Sequence, residues 1–302
     1  MVVTCGECMV ELTRPGAAHW LGAGWSLGYG GDVFNTTLYM VRLGVPVQFL
    51  TALGQDDCSD ELLERWREDG VDVSMVLRHP SRLPALYAVR TDPNGERRFS
   101  YWRTQSAMRA LFDLPGVDEM LERASSASML YLSGITLSLF DAAGTARLVA
   151  LAEAVRRGGG RVAFDPNYRA AGWTGADAAR ASMTRIMPFV SIALPTLEDE
   201  LLLWDLHDAD AVAGQWRAAG ADEVVIKQGA RGCLIAAGNT NEHLPAEQVR
   251  MVVDTTGAGD AFNAAYLAAR LRGGEPRHAA MAGHALAARV VQHPGAIMPA
   301  ST

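Results

Sequence analysis

The sequence contains almost no lysine. A single lysine, Lys227, stands among the 27 lysine and arginine residues of the chain. This scarcity is typical of a codon-biased genome in which one lysine survives by chance. Alternatively, the one lysine stands at a position that needs a compact ammonium, for instance near phosphate. A guanidinium does not replace an ammonium at such a position. Composition alone leaves both interpretations open.

Cysteine is also scarce, with four residues in the chain. Cys5 and Cys8 form a C-x-x-C pair, but no second pair or histidine follows at the spacing of a zinc site. The pair stands within VVTCGECMVEL, a pattern that predicts a strand. A structural role is therefore favoured over a metal or redox role, and we expect a reducing cytoplasm as the setting.

Long apolar runs and excess positive charge are absent as well. No run reaches the length of a membrane span, and the N-terminal residues lack the pattern of a signal peptide, so we expect neither. The net charge of −7 argues against nucleic acid or an anionic membrane as the main partner. A hydrophobic content of 49% is that of an ordinary globular protein.

Strand-like and helix-like segments alternate along most of the chain. This alternation predicts an α/β fold with a mostly parallel central sheet flanked by helices on both faces. Ligands of such sheets bind beyond the carboxyl ends of the strands. The predicted strands are 47–53, 128–134, 161–166, 190–195, 223–229 and 232–237, and the predicted helices include 59–69, 141–157, 196–204 and 284–292.

One segment, 83–103, departs from this rhythm. LPALYAVRTDPNGERRFSYWR reads as two alternating strands around DPNG, a turn signal. It predicts an antiparallel hairpin, which is either an ordinary sheet edge or a lid over a site. Its aromatic and arginine content favours the lid.

The stretch DTTGAGDAF, residues 254–262, predicts an anion site. Glycines at 257 and 259 let the backbone N–H groups of Gly257, Ala258 and Gly259 face one point at a helix start, where the helix dipole favours negative charge. Asp260 in the first turn would repel a phosphate unless it has a task, such as accepting the proton of an attacking hydroxyl. The alternative is a glycine-rich connection with a helix-start acid. Neither a Rossmann fingerprint nor a Walker A sequence is present.

Two further glycine turns accompany polar residues. GGDVFN places Gly30 and Gly31 before a helix and Asn35 one turn later, where its amide would reach a ligand hydroxyl. A packing turn with Asn35 in solvent explains the string equally well. IKQGARGC places Lys227 at the end of a buried strand, followed by two glycines. That loop predicts either a nucleotide contact or a tight hairpin.

Taken together, these strings resemble the PfkB-type, or ribokinase-like, carbohydrate kinases. DTTGAGDAF is similar to the C-terminal signature of that family, and GGDVFN to its N-terminal glycine pair and asparagine. The likeness extends along the whole chain in order. Within the family the chain most resembles the kinases of 2-keto-3-deoxygluconate, which carry strings similar to GECMVEL, LYLSGI, FDPNYR and the hairpin.

The resemblance implies a single ribokinase-like kinase domain over 1–302, with a small β-sheet lid formed from about 9–27 and 83–105. It implies Mg²⁺ and ATP, phosphorylation of the primary hydroxyl of a sugar acid, and a homodimer built through the lid. It assigns Asp260 as catalytic base, with the backbone of Gly257, Ala258 and Gly259 holding the transferred phosphate. It assigns the remaining site residues as follows: sugar contacts from Gly30, Gly31, Asp32, Asn35, Tyr87, Tyr101, Arg103 and Arg169, nucleotide contacts from Asn167, Lys227, Gly229, Gly232, Gly257 and Gly259, and a metal contact from Glu198.

In this resemblance, the choice of substrate depends on Arg103 and Arg169. A guanidinium binds a carboxylate in two places, and a neutral sugar offers it no such partner. Two departures from the family pattern stand out. Its Asn-x-x-Glu is replaced by 195–198, PTLE, so that only Glu198 carries over, and Ser100 stands where an aromatic is common. A kinase for fructose or another keto sugar, and a catalytically silent sugar or nucleotide sensor, are the alternatives. An NAD-binding oxidoreductase is a third alternative, but the chain lacks the nucleotide-binding fingerprint of that class near its N-terminus.

Overall fold

A computed structural model describes residues 1–14, 24–91, 97–238 and 240–300. The strands in these ranges are β1 Val2–Cys5, β2 Met9–Arg14, β3 Ser26–Gly30, β4 Val47–Leu53, β5 Val76–Arg78, β6 Ala85–Thr91, β7 Arg97–Trp102, β8 Met129–Ser133, β9 Arg161–Asp165, β10 Ile192–Ala193, β11 Glu223–Lys227, β12 Cys233–Ala237 and β13 Thr240–Leu244. The α-helices are α1 Asp32–Arg42, α2 Asp57–Glu68, α3 Val117–Ser125, α4 Gly134–Leu137, α5 Ala142–Arg157, α6 Ala176–Ile186, α7 Leu197–Leu203, α8 Ala209–Ala218, α9 Ala258–Leu271 and α10 Pro276–Val290.

The predicted parallel sheet is confirmed. A nine-stranded sheet has the order β13-β12-β11-β10-β9-β8-β1-β4-β5. Its pairs are parallel from β5 through β11 and antiparallel from β11 to β13. The carboxyl ends of β8, β9, β10 and β11 therefore lie along one edge, where the polar motifs of the sequence follow the strands.

Two apolar cores cover the two faces of this sheet. Successive residues of a strand point to opposite faces, and accordingly Val2 packs in one core and Val3 in the other. The first core contains Trp66 and Tyr266 from α2 and α9, and the second contains Trp216 from α8. The helices α1 and α9, which carry the two glycine-turn motifs, lie on the same face and contact each other.

The prediction of one strand across VVTCGECMVEL was wrong. The chain forms β1 and β2 there, and these strands belong to different sheets. The break falls at Gly6, where a Cβ would lie 2.7 Å from a methyl group of Val33, so the chain passes close to α1 as it leaves the main sheet. The apolar pattern continues across the break because both strands bury side chains, which hides the boundary in the sequence.

A second sheet has the order β3-β2-β6-β7. β6 and β7 pair antiparallel, as the hairpin prediction required, and β2 pairs antiparallel with β3 and parallel with β6. The DPNG turn of that prediction lies outside the described residues, as does the part of the predicted lid over 15–23. The division of the chain into one kinase domain and a lid stays a prediction. Among the residues described, no helix has both the length and the apolar character needed to cross a bilayer.

Candidate active site

The N-terminus of α9 is formed by a tight turn. Gly257 has a φ of 73°, a left-handed conformation that glycine adopts at no steric cost, and a Cβ there would lie 2.8 Å from Ala296. Asp254 accepts hydrogen bonds from the backbone N–H groups of Thr256 at 2.9 Å and Gly295 at 2.6 Å, which ties the loop to the C-terminal segment. The first N–H groups of α9 are thereby held at the edge of the sheet, where they favour an anion.

Asp260 lies in the first turn of α9 and is largely withdrawn from solvent. Its Oδ2 accepts a hydrogen bond from Asn35 Nδ2 at 2.8 Å, and its carbonyl oxygen accepts one from Thr36 Oγ1 at 3.3 Å. Burial first, and then the nearby carboxylate of Asp32, raise the pKa of Asp260 to about 8. A carboxylate with a pKa near neutrality is suited to take up a proton at physiological pH.

The second glycine turn brings α1, the small sheet and the β1–β2 connection together. The N–H of Gly31 donates to Asn35 Oδ1 at 3.3 Å, which orients the amide so that its NH₂ group faces Asp260. A Cβ on Gly31 would overlap the carbonyl oxygen of Glu7, and one on Gly30 would lie 3.3 Å from the hydroxyl of Tyr87. Gly31 is therefore needed for the close approach of α1 to the β1–β2 connection, whereas the space at Gly30 is only slightly tight.

A buried polar network joins the two halves of the site. Lys227 Nζ donates to Asp165 Oδ2 at 2.6 Å and to Asn263 Oδ1 at 3.1 Å. Asp165 also accepts from the backbone N–H of Asn167 at 3.0 Å, and the Asn167 side chain donates to Asp32 Oδ2 at 3.0 Å. Asn167 has a φ of 37°, a strained value for a residue other than glycine. The hydrogen bond to Asp32 holds the Asn167 side chain toward the start of α1.

Two predicted carboxylate-binding arginines lie near Tyr101. Burial raises the pKa of Tyr101, and the charges of Arg103 and Arg169 oppose that rise, which places both guanidinium groups near the ring. Each arginine is already paired with an acid: Arg103 Nε donates to Glu7 Oε2 at 2.5 Å, and Arg169 Nη1 donates to Asp199 Oδ2 at 2.8 Å. The Arg103–Glu7 pair lies beside the small sheet, whereas the Arg169–Asp199 pair joins the segment after β9 to α7.

Tyr87 and Tyr101 form part of the wall that the small sheet contributes. Their ring centroids are 6.1 Å apart, and the hydroxyl of Tyr87 donates to Glu11. Tyr87 is buried, whereas Tyr101, at the mouth of the site, is only half-buried.

The structure does not bring Glu198 to the other predicted residues. Its side chain is 61% exposed and is paired with Arg231 at 3.0 Å. Asp199, the next residue, faces inward instead, because consecutive residues of a helix differ by about 100° in direction. The sequence predicts Glu198 as the metal contact and gives no signal for Asp199, the residue beside it.

A cavity of about 600 Å³ opens beside the start of α9. Lys227 lies at its polar end, close to the start of α9. A Cβ on Gly259 would lie 3.6 Å from Lys227 Nζ. His284 contributes a buried Nε2 atom that has no hydrogen-bond partner within the described part of the chain. Other lining residues include Gly229, Gly232, Val249, Val252, Ala258, Phe262, Ala287 and Val291. The predicted nucleotide residues Lys227, Gly229, Gly232 and Gly259 thus share one cavity, which has a long apolar wall.

Comparison with known proteins identifies the family. The model of the pfkB family carbohydrate kinases matches residues 1–302. The chain belongs to this family. A 2-dehydro-3-deoxygluconokinase of Dickeya dadantii (strain 3937) is 39% identical over 305 residues, covering 99% of this chain and 96% of the relative.

Solved structures agree on the fold of this pfkB-family chain. The PfkB protein of Polaromonas sp. JS666 is 26% identical with a TM-score of 0.85, covering 98% of this chain and 97% of the other. An Escherichia coli protein solved in complex with ATP and Mg²⁺ is 24% identical, also with a TM-score of 0.85, and covers 98% and 94%. The ribokinase-like fold expected from the sequence is therefore confirmed, and so is the membership of a sugar-kinase family.

Proposed function

We propose that the protein transfers the γ-phosphoryl group of ATP to the primary hydroxyl of 2-keto-3-deoxygluconate (2-dehydro-3-deoxygluconate), giving 2-keto-3-deoxy-6-phosphogluconate. The observation that carries the proposal is the position of Asp260. This carboxylate lies at the N-terminus of α9, between an edge that bears arginines and a cavity with an apolar wall. The name of the Dickeya relative supports the choice of sugar acid.

Asp260 is the proposed base. It accepts the proton of the primary hydroxyl while the hydroxyl oxygen forms a bond to the γ-phosphorus, and the bond from phosphorus to the β–γ bridging oxygen breaks to release ADP. The hydrogen bond from Asn35 at 2.8 Å fixes the carboxylate in the direction of the site. Positioning of this kind and the electrostatic field of the helix start supply most of the expected acceleration.

The cavity beside α9 is the proposed nucleotide site. Its apolar wall suits a purine ring, and its polar end suits phosphates, since Lys227 and the N–H groups at the start of α9 converge there. Lys227 supplies a compact positive charge that stays oriented by Asp165 and Asn263. The E. coli neighbour was solved with ATP and Mg²⁺, which supports the same pair of ligands for this chain.

Magnesium in kinases is held chiefly by phosphate oxygens and water, with one or two carboxylates from the protein. No cluster of three or more metal-ligating side chains occurs among the described residues, which fits a metal that arrives with the nucleotide. Asp199 supports a role on the metal side better than Glu198 does, because it is largely buried and lies near Arg169, Asp165 and Lys227. Bound there, Mg²⁺ would neutralise charge on the phosphate oxygens.

A homodimer through the small sheet and a cytoplasmic setting complete the proposal. Leu27 and Trp102 expose large apolar side chains on one face of that sheet, and patches of this kind mark interaction surfaces. Replacing Leu27 with Asp should shift the protein from dimer to monomer in analytical ultracentrifugation; a wild-type monomer would rule the dimer out. The cysteines in the described ranges are unpaired, in keeping with a reducing compartment.

The decisive experiment measures ADP release by the purified protein with Mg·ATP. The acceptors are 2-keto-3-deoxygluconate, fructose, ribose and no sugar. Turnover with the sugar acid alone is the expected result. Turnover with a neutral sugar alone would retain the chemistry of Asp260 and overturn the substrate. Binding of ATP without turnover on any sugar would favour a catalytically silent sensor.

A further inference from the structure

Glu7 is a buried carboxylate at the boundary between the two sheets. It stands in the three-residue connection from β1 to β2, and its side chain is 3% exposed. Its two carboxylate oxygens are occupied by different donors, Arg103 Nε at 2.5 Å and the hydroxyl of Ser106. A buried ion pair contributes little net stability compared with apolar residues of the same volume. The pair is therefore better explained by what it does to Arg103.

The bond to Glu7 fixes one side of the Arg103 guanidinium. Nε is held by the carboxylate, and the Nη atoms have no acid partner in the described ranges. Arg103 directly follows β7, which ends at Trp102, and its guanidinium lies near Tyr101 at the mouth of the site. The free Nη edge is the part of the fork that a ligand carboxylate would meet.

A second arginine adds charge without adding an acid. Arg109 donates through Nε to the carbonyl oxygen of Arg103 at 3.1 Å and through Nη1 to that of Leu139 at 2.9 Å. Carbonyl oxygens satisfy its donors but do not neutralise it. Burial and the charge of Arg103 lower the pKa of Arg109, while Glu7 raises it, so the three charged groups act on one another. Glu7, Arg103 and Arg109 together carry one uncompensated positive charge, which matches a monoanionic sugar acid.

We propose that Glu7 is a positioning residue for substrate selection: it holds Arg103 so that the Nη edge binds the carboxylate of the sugar acid. The inference rests on the proposed function and deepens it. The orienting effect of Glu7 and its negative charge predict opposite changes in the affinity for the sugar acid when Glu7 is replaced. Removing the negative charge of Glu7 alone would tighten the binding of an anion, whereas releasing Arg103 would weaken it. The direction of the change therefore separates the two effects.

The test is a double-mutant cycle with Glu7→Gln and Arg103→Ala, assayed by ADP release with the sugar acid and with fructose. Glu7→Gln should raise KM for the sugar acid on the order of tenfold, leave kcat within about twofold, and leave any fructose KM unchanged. In the Arg103→Ala background it should add nothing, because Glu7 acts through Arg103. A residue that only stabilised the fold would lower the melting temperature without this non-additive change in KM.

A KM for the sugar acid that stays constant or falls, or effects that add in the double variant, would overturn the role of Glu7. Absence of wild-type turnover with the sugar acid would overturn the proposed function instead, so the two failures are distinguishable. If Glu7→Gln does not fold, Ser106→Ala removes the second donor to the same carboxylate. That variant should raise KM for the sugar acid about threefold, again only when Arg103 is present; an unchanged KM would refute the inference.

Discussion

Replacement of Asp260 by Asn should abolish turnover and at the same time stabilise the protein. The amide keeps an oxygen that can accept the hydrogen bond from Asn35, but it cannot take up the proton of a hydroxyl. Loss of a general base typically costs on the order of 10²–10⁴-fold in kcat. ATP binding should be retained, since Asp260 lies beside the nucleotide cavity rather than in its wall.

The gain in stability follows from the raised pKa. Folding moves the pKa of Asp260 from 3.8 to about 8, so the folded state holds this proton more tightly than the unfolded chain does. The stability linked to that proton is fully present below about pH 4 and is lost as the pH rises to about 8. One pKa unit corresponds to about 1.4 kcal/mol. Between pH 5 and pH 8 the wild type should therefore lose up to about 4 kcal/mol relative to the Asn variant.

Urea denaturation of both proteins at pH 5, 6.5 and 8 measures this difference, and ADP release measures turnover. Asp177→Asn is the matched control, because its side chain is 97% exposed and its change should affect neither quantity. In the wild type, kcat should rise with pH toward about 8 as the base loses its proton. A difference in stability that does not change with pH would refute the assigned pKa, and near-normal turnover of Asp260→Asn would refute its role as base.

Three further substitutions test the scaffold. Gly31→Ala should destabilise the protein by about 2 kcal/mol in urea denaturation, because the new Cβ overlaps the carbonyl oxygen of Glu7; unchanged stability would mean that the approach is looser. Lys227→Arg should lower kcat by at least about tenfold, because a guanidinium does not fit the 2.6 Å contact with Asp165; normal kinetics would reduce Lys227 to a chance survivor of codon bias. Glu223→Gln should cost about 3 kcal/mol of stability with unchanged kcat and KM, since Glu223 lies at the opposite end of β11 from Lys227; altered kinetics would contradict this separation.

Local patterns predicted the elements that carry the site. β4 has the predicted bounds, Val47–Leu53, because an apolar run is followed by Gly54. Asp260 lies in the first turn of α9 because glycines at a helix start and an alanine-rich run after it are local signals. Lys227 ends β11 for the same kind of reason.

Pairings between distant residues could not be predicted in this way. Arg103 and Glu7 are 96 residues apart, and Lys227 and Asp165 are 62 apart, so each pair depends on the order of strands in the sheets. The choice between Glu198 and Asp199 depends on the rotation of α7 about its axis, which a helix of seven residues leaves undetermined in the sequence. Asp165 directly ends β9, and a search for acids at strand ends would have found it.

The solitary lysine also gives the chain a single point of attack by a lysine-specific protease. Cleavage after Lys227 would leave fragments of 227 and 75 residues. The peptide bond is shielded, because the N–H of Lys227 donates to the carbonyl oxygen of Pro195 at 2.8 Å and that of Gln228 to Gly232 at 2.8 Å. Digestion therefore requires this edge of the sheet to open, and its rate reports the population of the opened state. Ligands that bind the cavity should slow the appearance of the two bands in proportion to their affinity.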